Sequence, residues 1–322
     1  MSFPRILFLT LIFCLLAACA APAAQTTQPP ATGDTPAAVE GVTSEPVEAT
    51  QPPADTATPL PLEPTAIPAL ASAPLRIEFQ ASDGTPLVGY YYPSAVNPAP
   101  VVVLMHWANG TQCDWVHVNL VQWLQNRGLP EGVAANPACE GVSLDYAIPL
   151  ADYPVMPGTG SFGVFTFDFR GHGESGGEEK YQPEGWLLDA QAAVNFARGL
   201  SGANAQLLVT IGASIGADGA VDACGNGCLG ALSFSPGSYL GVDYAIAVTA
   251  LDQARKPAWC VVSTQDAESL PACEAASGEL FQKFVYEQPA HGLQFFQPGF
   301  EPATPQVILE FLMQVFGYYS QT

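Results

Sequence analysis

The sequence predicts an α/β fold with a mostly parallel, eight-stranded sheet and helices on both faces. Short apolar runs alternate with helix-type patterns, which is typical of parallel strands buried between two helical layers. Alternating stretches on either side of Asp83-Gly84 predict a hairpin at the start of the domain. The predicted strands are 75–80, 86–92, 100–105, 162–167, 206–211, 229–234, 258–263 and 282–286. The predicted helices are 115–126, 183–199, 214–222, 242–254 and 304–317.

A glycine-rich turn follows the fifth predicted strand. There, Gly212-Ala213-Ser214-Ile215-Gly216 separates an apolar run from a helical segment of small residues. Gly-x-Ser-x-Gly between a strand and a helix is the pattern of a nucleophile elbow, which exposes the serine at a sharp turn. The first N–H groups of the new helix lack partners within the helix and favour an anion. An ordinary glycine-rich turn is the alternative interpretation.

Three further segments match one protein family. Residues 101–106 resemble its third strand, residues 165–175 contain its Asp-x-Arg-Gly-His-Gly-x-Ser pattern, and residues 233–237 resemble the end of its sixth strand. From about residue 76 to 318 the chain therefore resembles an α/β-hydrolase, closest to the dienelactone-hydrolase-like and serine-aminopeptidase-like branches. The resemblance implies the α/β-hydrolase fold and structural roles for Arg170 and His172.

The resemblance also implies a catalytic triad in the chain order serine, acid, histidine. His291 is the only histidine after Ser214, so it is the predicted base. Asp266 is the predicted acid because it follows an apolar strand, and active sites of open α/β sheets lie at the carboxyl ends of strands. Asp243 and Asp252 also lie between serine and histidine, and Asp243 stays open as an alternative acid. A surface histidine is the non-catalytic interpretation of His291.

An oxyanion hole is implied by the same resemblance. The family's third strand normally ends in His-Gly, and the next residue supplies one N–H. Here Trp107 follows His106 in place of glycine, so Ala108 occupies the donor position. The second predicted donor is the N–H of Ile215. We interpret His106 itself as a hydrogen-bonded structural residue.

No metal or cofactor is expected. His117 lies on a predicted helix without a metal-type partner one turn away, and no Cys, His or carboxylate set has zinc-like spacing. No phosphate-binding glycine loop is present. The segment between the sixth and seventh predicted strands has room for little more than one helix. We therefore expect no large cap domain there.

The N-terminus predicts export. Arg5 precedes an apolar run that is too short to span a bilayer but suits a signal peptide. Leu16-Ala17-Ala18-Cys19 resembles a bacterial lipobox, which implies a signal peptide over 1–18 and a lipid on Cys19. The protein would then be held by palmitate-type lipid at the outer face of a bacterial membrane, at the cell surface or in the periplasm. An ordinary cleaved signal peptide is the alternative.

A linker is predicted over residues 19–75, and one α/β domain over 76–322. Twelve of the thirty prolines lie between residues 20 and 75, which contain no Lys or Arg. A segment of this composition does not bury a core and is predicted to be disordered, with polyproline-like stretches.

Six cysteines of the predicted domain indicate disulfides, as expected in an exported chain. Six cysteines allow 15 pairings. Proximity in the sequence favours Cys113 with Cys139, Cys224 with Cys228, and Cys260 with Cys273. A redox couple at Cys224 and Cys228 is the alternative for the second pair, although its spacing does not resemble a thioredoxin motif.

The charge balance limits the classes of partner. The formal net charge is −21, with nine basic residues. This argues against nucleic acid as a partner and against electrostatic docking on anionic lipids.

A surface-anchored serine hydrolase acting on a small-molecule carboxylic ester is the predicted function. Dienelactone-type relatives normally use cysteine as nucleophile, whereas this chain has Ser214, so a serine esterase is the favoured type. A peptidase of the same fold is one alternative. The other is a non-catalytic binding lipoprotein, since a fold does not dictate a function.

Overall fold

The computed structural model describes residues 73–128, 136–140, 144, 146–158, 160–178, 180–225 and 227–317. The chain divides into two units, Met1–Leu62 and Glu63–Thr322, and all described residues belong to the second. The predicted signal peptide, Cys19 and nearly all of the predicted linker lie outside the described residues. Within the described residues, no helix is both long enough and apolar enough to cross a membrane.

Eight strands form one sheet in the order β1-β2-β4-β3-β5-β6-β7-β8. The two pairings made by β2, with β1 and with β4, are antiparallel, and all other pairings are parallel. The predicted mostly parallel eight-stranded sheet is confirmed. The strands are β1 (Leu75–Gln80), β2 (Pro86–Tyr92), β3 (Ala99–Met105), β4 (Gly163–Phe167), β5 (Ala203–Ala213), β6 (Cys228–Phe234), β7 (Ala258–Ser263) and β8 (Phe281–Tyr286).

Helices cover both faces of the sheet. Along β3, Val102 and Leu104 pack into one core layer while Val101, Val103 and Met105 pack into the other. This alternation follows from the two-residue period of a strand. The helices are α1 (Asp114–His117), α2 (Leu120–Gln125), α3 (Pro183–Ala197), α4 (Ile215–Asp222), α5 (Tyr244–Gln253), α6 (Leu270–Ala275) and α7 (Thr304–Phe316). Side chains of α1, α2 and α7 join the first layer, and those of α3 to α6 join the second.

One helical prediction was wrong in detail, and one helix was not predicted. The single helix predicted over 115–126 is divided into α1 and α2, because Asn119 adopts a left-handed conformation with φ 62°. Asparagine tolerates this conformation better than most residues. Helix α6 was not predicted. Its sequence signal is Pro271 in the first helical turn, a favoured position for proline.

Three disulfides join the pairs that proximity in the sequence favours. Cys113 is bonded to Cys139, Cys224 to Cys228, and Cys260 to Cys273. The third bond connects β7 to α6 and so brackets the loop between them. Between β6 and β7, α5 is the helix found in the described residues, in agreement with the expectation of no large cap there.

Candidate active site

Ser214 lies at the sharp turn between β5 and α4. Its backbone has φ 53° and ψ −116°, a strained conformation for a residue with a side chain. The Ser214 N–H donates to the carbonyl of Phe234 at 2.8 Å, which holds the turn against β6. A Cβ on Gly212 would lie 1.8 Å from the carbonyl oxygen of Gly216, and one on Gly216 would lie 2.1 Å from that of Met105. Both positions therefore require glycine.

His291 connects Ser214 to Asp266. Its Nε2 lies 2.9 Å from Ser214 Oγ, and its Nδ1 lies 2.8 Å from Asp266 Oδ2. With the proton on Nδ1, the imidazole donates to the carboxylate and accepts the Ser214 hydroxyl proton. The His291 side chain is 33% exposed and that of Asp266 only 6%, so solvent reaches the imidazole while the carboxylate is sheltered. The structure therefore brings together the three residues predicted for the triad.

The Asp266 carboxyl is kept in its charged form. Burial acts to raise its pKa, but hydrogen bonds from His291, Ser235 and Ser269 and the charge of His291 outweigh it, and the pKa lies below the usual value. The Ser269 N–H donates to Asp266 Oδ1 at 3.2 Å. The carboxylate is thus ready to orient His291 at neutral pH.

Two residues near the triad were missed by sequence reasoning. Ser235 follows β6 and is fully buried; its Oγ accepts the N–H of Gly292 at 3.1 Å, next to His291, while its hydroxyl also favours the charged form of Asp266. Gln294 accepts the His291 N–H through its side-chain oxygen at 2.8 Å. Ser235 lies in a segment singled out as a strand end, but nothing in that segment indicated a contact with the histidine loop.

The predicted oxyanion donors lie at the start of α4 and on the loop that follows β3, residues 106–113, called the β3 loop below. The Trp107 carbonyl accepts the N–H of Gly110 at 3.1 Å and faces His106 Nδ1 at 2.7 Å. Because a trans peptide holds its C=O and N–H in opposite directions, these two bonds also orient the Ala108 N–H. In the described part of the chain, neither the Ala108 N–H nor the Ile215 N–H has a hydrogen-bond acceptor. Both N–H groups are therefore unpaired within the described residues.

Comparison with known proteins gives both a sequence relationship and a structural one. No protein-family model matches the chain. Over 153 residues it is 31% identical to uncharacterized protein YfhR of Escherichia coli (strain K12). The matched region covers 47% of this chain and 42% of that protein. The Salmonella typhi protein of the same name is 27% identical over 170 residues, 52% of this chain and 45% of that protein. The matched region thus spans less than half the length of these relatives.

Solved structures match most of the described chain at low identity. The Pyrococcus furiosus esterase Pf2001 has a TM-score of 0.52 and 16% identity, covering 78% of this chain and 96% of that one. The α/β hydrolase GrgF from Penicillium sp. sh18 has a TM-score of 0.53 and 14% identity, with coverages of 76% and 99%. This chain has the α/β-hydrolase fold. Est1E from Butyrivibrio proteoclasticus, solved with ferulic acid, has a TM-score of 0.52 and 13% identity, with coverages of 75% and 99%.

The other histidines of this α/β-hydrolase fold have structural partners. His106 is fully buried, and its Nε2 accepts the N–H of Phe169 at 3.0 Å. Burial lowers its pKa to about 3, and the nearby His172 adds to this effect, so the imidazole is neutral. His117 Nε2 lies 2.9 Å from the carbonyl oxygen of Cys139. His172 Nε2 donates to the Ala108 carbonyl at 2.8 Å, which ties the fourth-strand loop to the candidate oxyanion residue.

The segment 168–175 forms ion pairs and hydrogen bonds with neighbouring elements. Arg170 donates to Asp189 and Asp83, the shortest contacts being 2.8 Å and 2.7 Å. Asp168 accepts the N–H groups of Gln112 at 2.8 Å and Glu174 at 3.0 Å. These contacts join the end of β4 to the first hairpin, to α3 and to the β3 loop.

The alternative acids lie elsewhere. Asp243 caps α5 by accepting the N–H of Ile246 at 3.0 Å. Asp252 is half-buried and accepts the N–H of Leu280 at 2.8 Å. Neither carboxylate contacts His291. Among the described residues, no group of three or more His, Cys, Asp or Glu is placed to hold a metal ion.

A polar cleft of about 690 Å³ opens beside the β3 loop. Its lining includes Ala108, Asn109 and Thr111 on one side and Gly171, His172 and Gly173 on the other. The cleft therefore borders Ala108, whereas Ser214, Asp266 and His291 are not among its lining residues.

Proposed function

We propose that this protein is a serine hydrolase that cleaves carboxylic esters through an acyl-enzyme on Ser214. The observation that carries the proposal is the continuous hydrogen-bond chain from Ser214 Oγ to His291, 2.9 Å, and from His291 to Asp266, 2.8 Å. A strained serine at a strand-to-helix turn, joined to a histidine that is oriented by a buried carboxylate, is the arrangement required for nucleophilic acyl transfer.

In the proposed reaction, Ser214 Oγ attacks the ester carbonyl while His291 Nε2 takes the hydroxyl proton. The Asp266 carboxylate holds the imidazole ring and stabilises the imidazolium that forms. The N–H groups of Ala108 and Ile215 bind the negative oxygen of the tetrahedral intermediate. His291 then gives its proton to the departing alkoxide, and a water molecule activated by the same histidine releases the acid.

Two observations favour an ester as the substrate: what the solved structures with this fold are named for, and the exposure of His291. One solved relative by fold is named an esterase and another binds ferulic acid. Solvent reaches His291 without a large cap between β6 and β7, which suits a small-molecule ester.

Covalent labelling with a fluorophosphonate tests the proposal. We expect the probe to modify the wild type at Ser214 and not to modify Ser214→Ala, with Ser82→Ala as an exposed control that labels normally. Hydrolysis of p-nitrophenyl esters should disappear in Ser214→Ala, apart from the residual rate that oxyanion binding supplies. A folded wild type that neither labels nor turns over esters would instead be a binding protein. Turnover of peptide anilides with esters inert would make it a peptidase.

We also propose that the enzyme is exported and anchored by a lipid on Cys19. The support is the Leu16-Ala17-Ala18-Cys19 sequence and the proline-rich, cation-free stretch behind it. Mass spectrometry of the mature N-terminus should find an acylated Cys19, and Cys19→Ser should move the protein from the detergent phase to the aqueous phase. An unmodified N-terminus at another residue would mean a plain secreted protein.

A further inference from the structure

Asp222 is a carboxylate without a hydrogen-bond partner in the described part of the chain. It is the last residue of α4, and its Oδ2 is inaccessible to solvent. Asp222 as a whole residue is only partly buried, and it is among the residues that line a cleft. A buried polar oxygen without a partner costs free energy and therefore needs an explanation.

Three local features oppose a negative charge at Asp222. Burial is the largest, and the charge of Asp218 one turn earlier adds to it; together they raise the Asp222 pKa to about 8. The position at the C-terminal end of a helix is also unfavourable for an anion. A carboxyl group perturbed in this way and lying in a cleft is a candidate binding residue.

The charged neighbours do not neutralise Asp222. Lys256, after α5, forms no ion pair with Asp222 in the described chain; its ammonium donates to the carbonyl of Cys224 at 3.1 Å and to that of Gly225. Helix α5 presents Tyr244, a neutral phenol, and helix α3 presents the neutral Gln191. Among the described residues, the charge that acts on Asp222 is that of Asp218, on α4 itself.

A cleft of about 450 Å³ lies at this carboxylate, between α3, α4 and α5. Most of its lining is aliphatic, including Leu187, Val221, Val242 and Leu251. Ile246 stands at its edge with 67% of its surface exposed. The cleft thus combines an aliphatic wall with the unpaired Asp222 carboxyl. Lys256 also lines it, with its ammonium bonded to the carbonyls of Cys224 and Gly225.

We propose that this cleft binds an aliphatic primary ammonium, with the cation on the Asp222 carboxylate and the alkyl chain along the wall formed by α3 and α5. An ammonium supplies both the opposite charge and the N–H donors that Asp222 lacks. An anion would face the Asp222 charge, and the Lys256 ammonium is already hydrogen-bonded to two carbonyls. A neutral alcohol would leave the charge uncompensated.

Calorimetric titration with hexylammonium tests the proposal, with hexanol and hexanoate as probes of the same chain length. Asp222 must lose its proton to bind the cation, so binding releases a proton when the pH is below about 8. We expect the affinity for hexylammonium to rise more than about tenfold from pH 6 to pH 9 and then level off. Hexanol and hexanoate should bind at least about tenfold more weakly at pH 9.

Matched variants distinguish hexylammonium binding in this cleft from binding elsewhere on the protein. Asp222→Asn should bind hexylammonium at least about tenfold more weakly and without pH dependence, whereas Asp152→Asn, at an exposed carboxylate outside the cleft, should bind like the wild type. Ala250→Leu should block the cleft without changing its charge. Ser214→Ala should bind normally, which distinguishes this cleft from the candidate active site. Undiminished binding to Asp222→Asn, pH-independent affinity, equal binding of hexanol, or no binding at all would each overturn the proposal.

Discussion

The orientation of His291 depends on a single carboxylate. Asp266 faces its Nδ1, whereas Asp243 caps α5. We expect Asp266→Asn to lower kcat for ester hydrolysis by about 10²–10⁴-fold, because an amide favours the wrong imidazole tautomer and does not stabilise imidazolium. Asp243→Asn should change kcat less than about twofold, since asparagine is also a good helix cap. If Asp243→Asn were the more damaging change in steady-state kinetics, the acid would be misassigned.

Ser235 is expected to position both Asp266 and the His291 loop. Ser235→Ala removes the acceptor for the Gly292 N–H and a hydrogen bond to the carboxylate. We predict a roughly tenfold lower kcat with little change in KM, and about 1–3 kcal/mol less stability because a buried N–H is left unpaired. Ser233→Ala is the control: it loses a bond of 2.8 Å to the Ala217 carbonyl and no contact with the acid. An equal fall of kcat in both variants would show that lost stability alone explains the effect.

At the level of elements, the loops after β3 and β4 act together. His172 fixes the carbonyl of Ala108, and the turn at Trp107 fixes the direction of the Ala108 N–H. Strand ends that meet at one edge of a parallel sheet place these loops side by side. The geometry of the candidate oxyanion hole therefore depends on contacts between loops as well as on the β3 loop itself.

We expect His172→Ala to lower kcat about fivefold to tenfold with KM almost unchanged, because the lost hydrogen bond releases the peptide that follows Ala108 and so loosens the loop that carries the Ala108 N–H. His172→Gln should restore most of the rate, since its amide nitrogen can replace Nε2 as the donor. The measurement is kcat and KM for one p-nitrophenyl ester in the three proteins. A fall in thermal stability without a fall in kcat would mean that His172 serves the fold only.

For the whole molecule, the buried acids of α4 should make stability depend on pH. Burial raises the pKa of Asp218 to about 7 against opposing backbone hydrogen bonds, and that of Asp222 to about 8. A carboxyl whose pKa is raised by folding stabilises the protein below its unfolded pKa. That contribution is lost as the pH rises through the folded pKa. The free energy of unfolding should therefore decline as the pH rises from about 4 to 9.

Asp222→Asn should remove part of this decline. At pH 9 the variant should be more stable than the wild type by about 1 kcal/mol, because no buried charge has to form. At pH 5, where both side chains are neutral in the folded state, the difference should be smaller. Urea denaturation at the two pH values checks this. A variant that is less stable than the wild type at pH 9 would contradict this prediction, because it would show that folding stabilises the Asp222 charge.

Local patterns in the sequence were enough to predict the sheet and the elbow. Gly212, Ser214 and Gly216 are close in the chain, so the turn chemistry that requires them is visible in a short window. The strands were predicted because their short apolar or alternating runs are visible in the sequence without knowing which strands pair. The choices of His291 and Asp266 also used the chain order that the family resemblance implies: His291 is the only histidine after Ser214, and Asp266 follows β7, with Asp243 left open as an alternative.

Only the tertiary structure decided the contacts between distant loops. The bond from His172 to Ala108 joins residues 64 positions apart, and that from Gly292 to Ser235 joins residues 57 positions apart. No periodicity encodes such contacts, because they arise when parallel strands bring their carboxyl ends to one edge. The same reason applies to Asp222: its isolation from cations depends on how α3 and α5 pack beside α4. The identity of the side chains is local information, but the burial and pairing of their charges are properties of the folded chain.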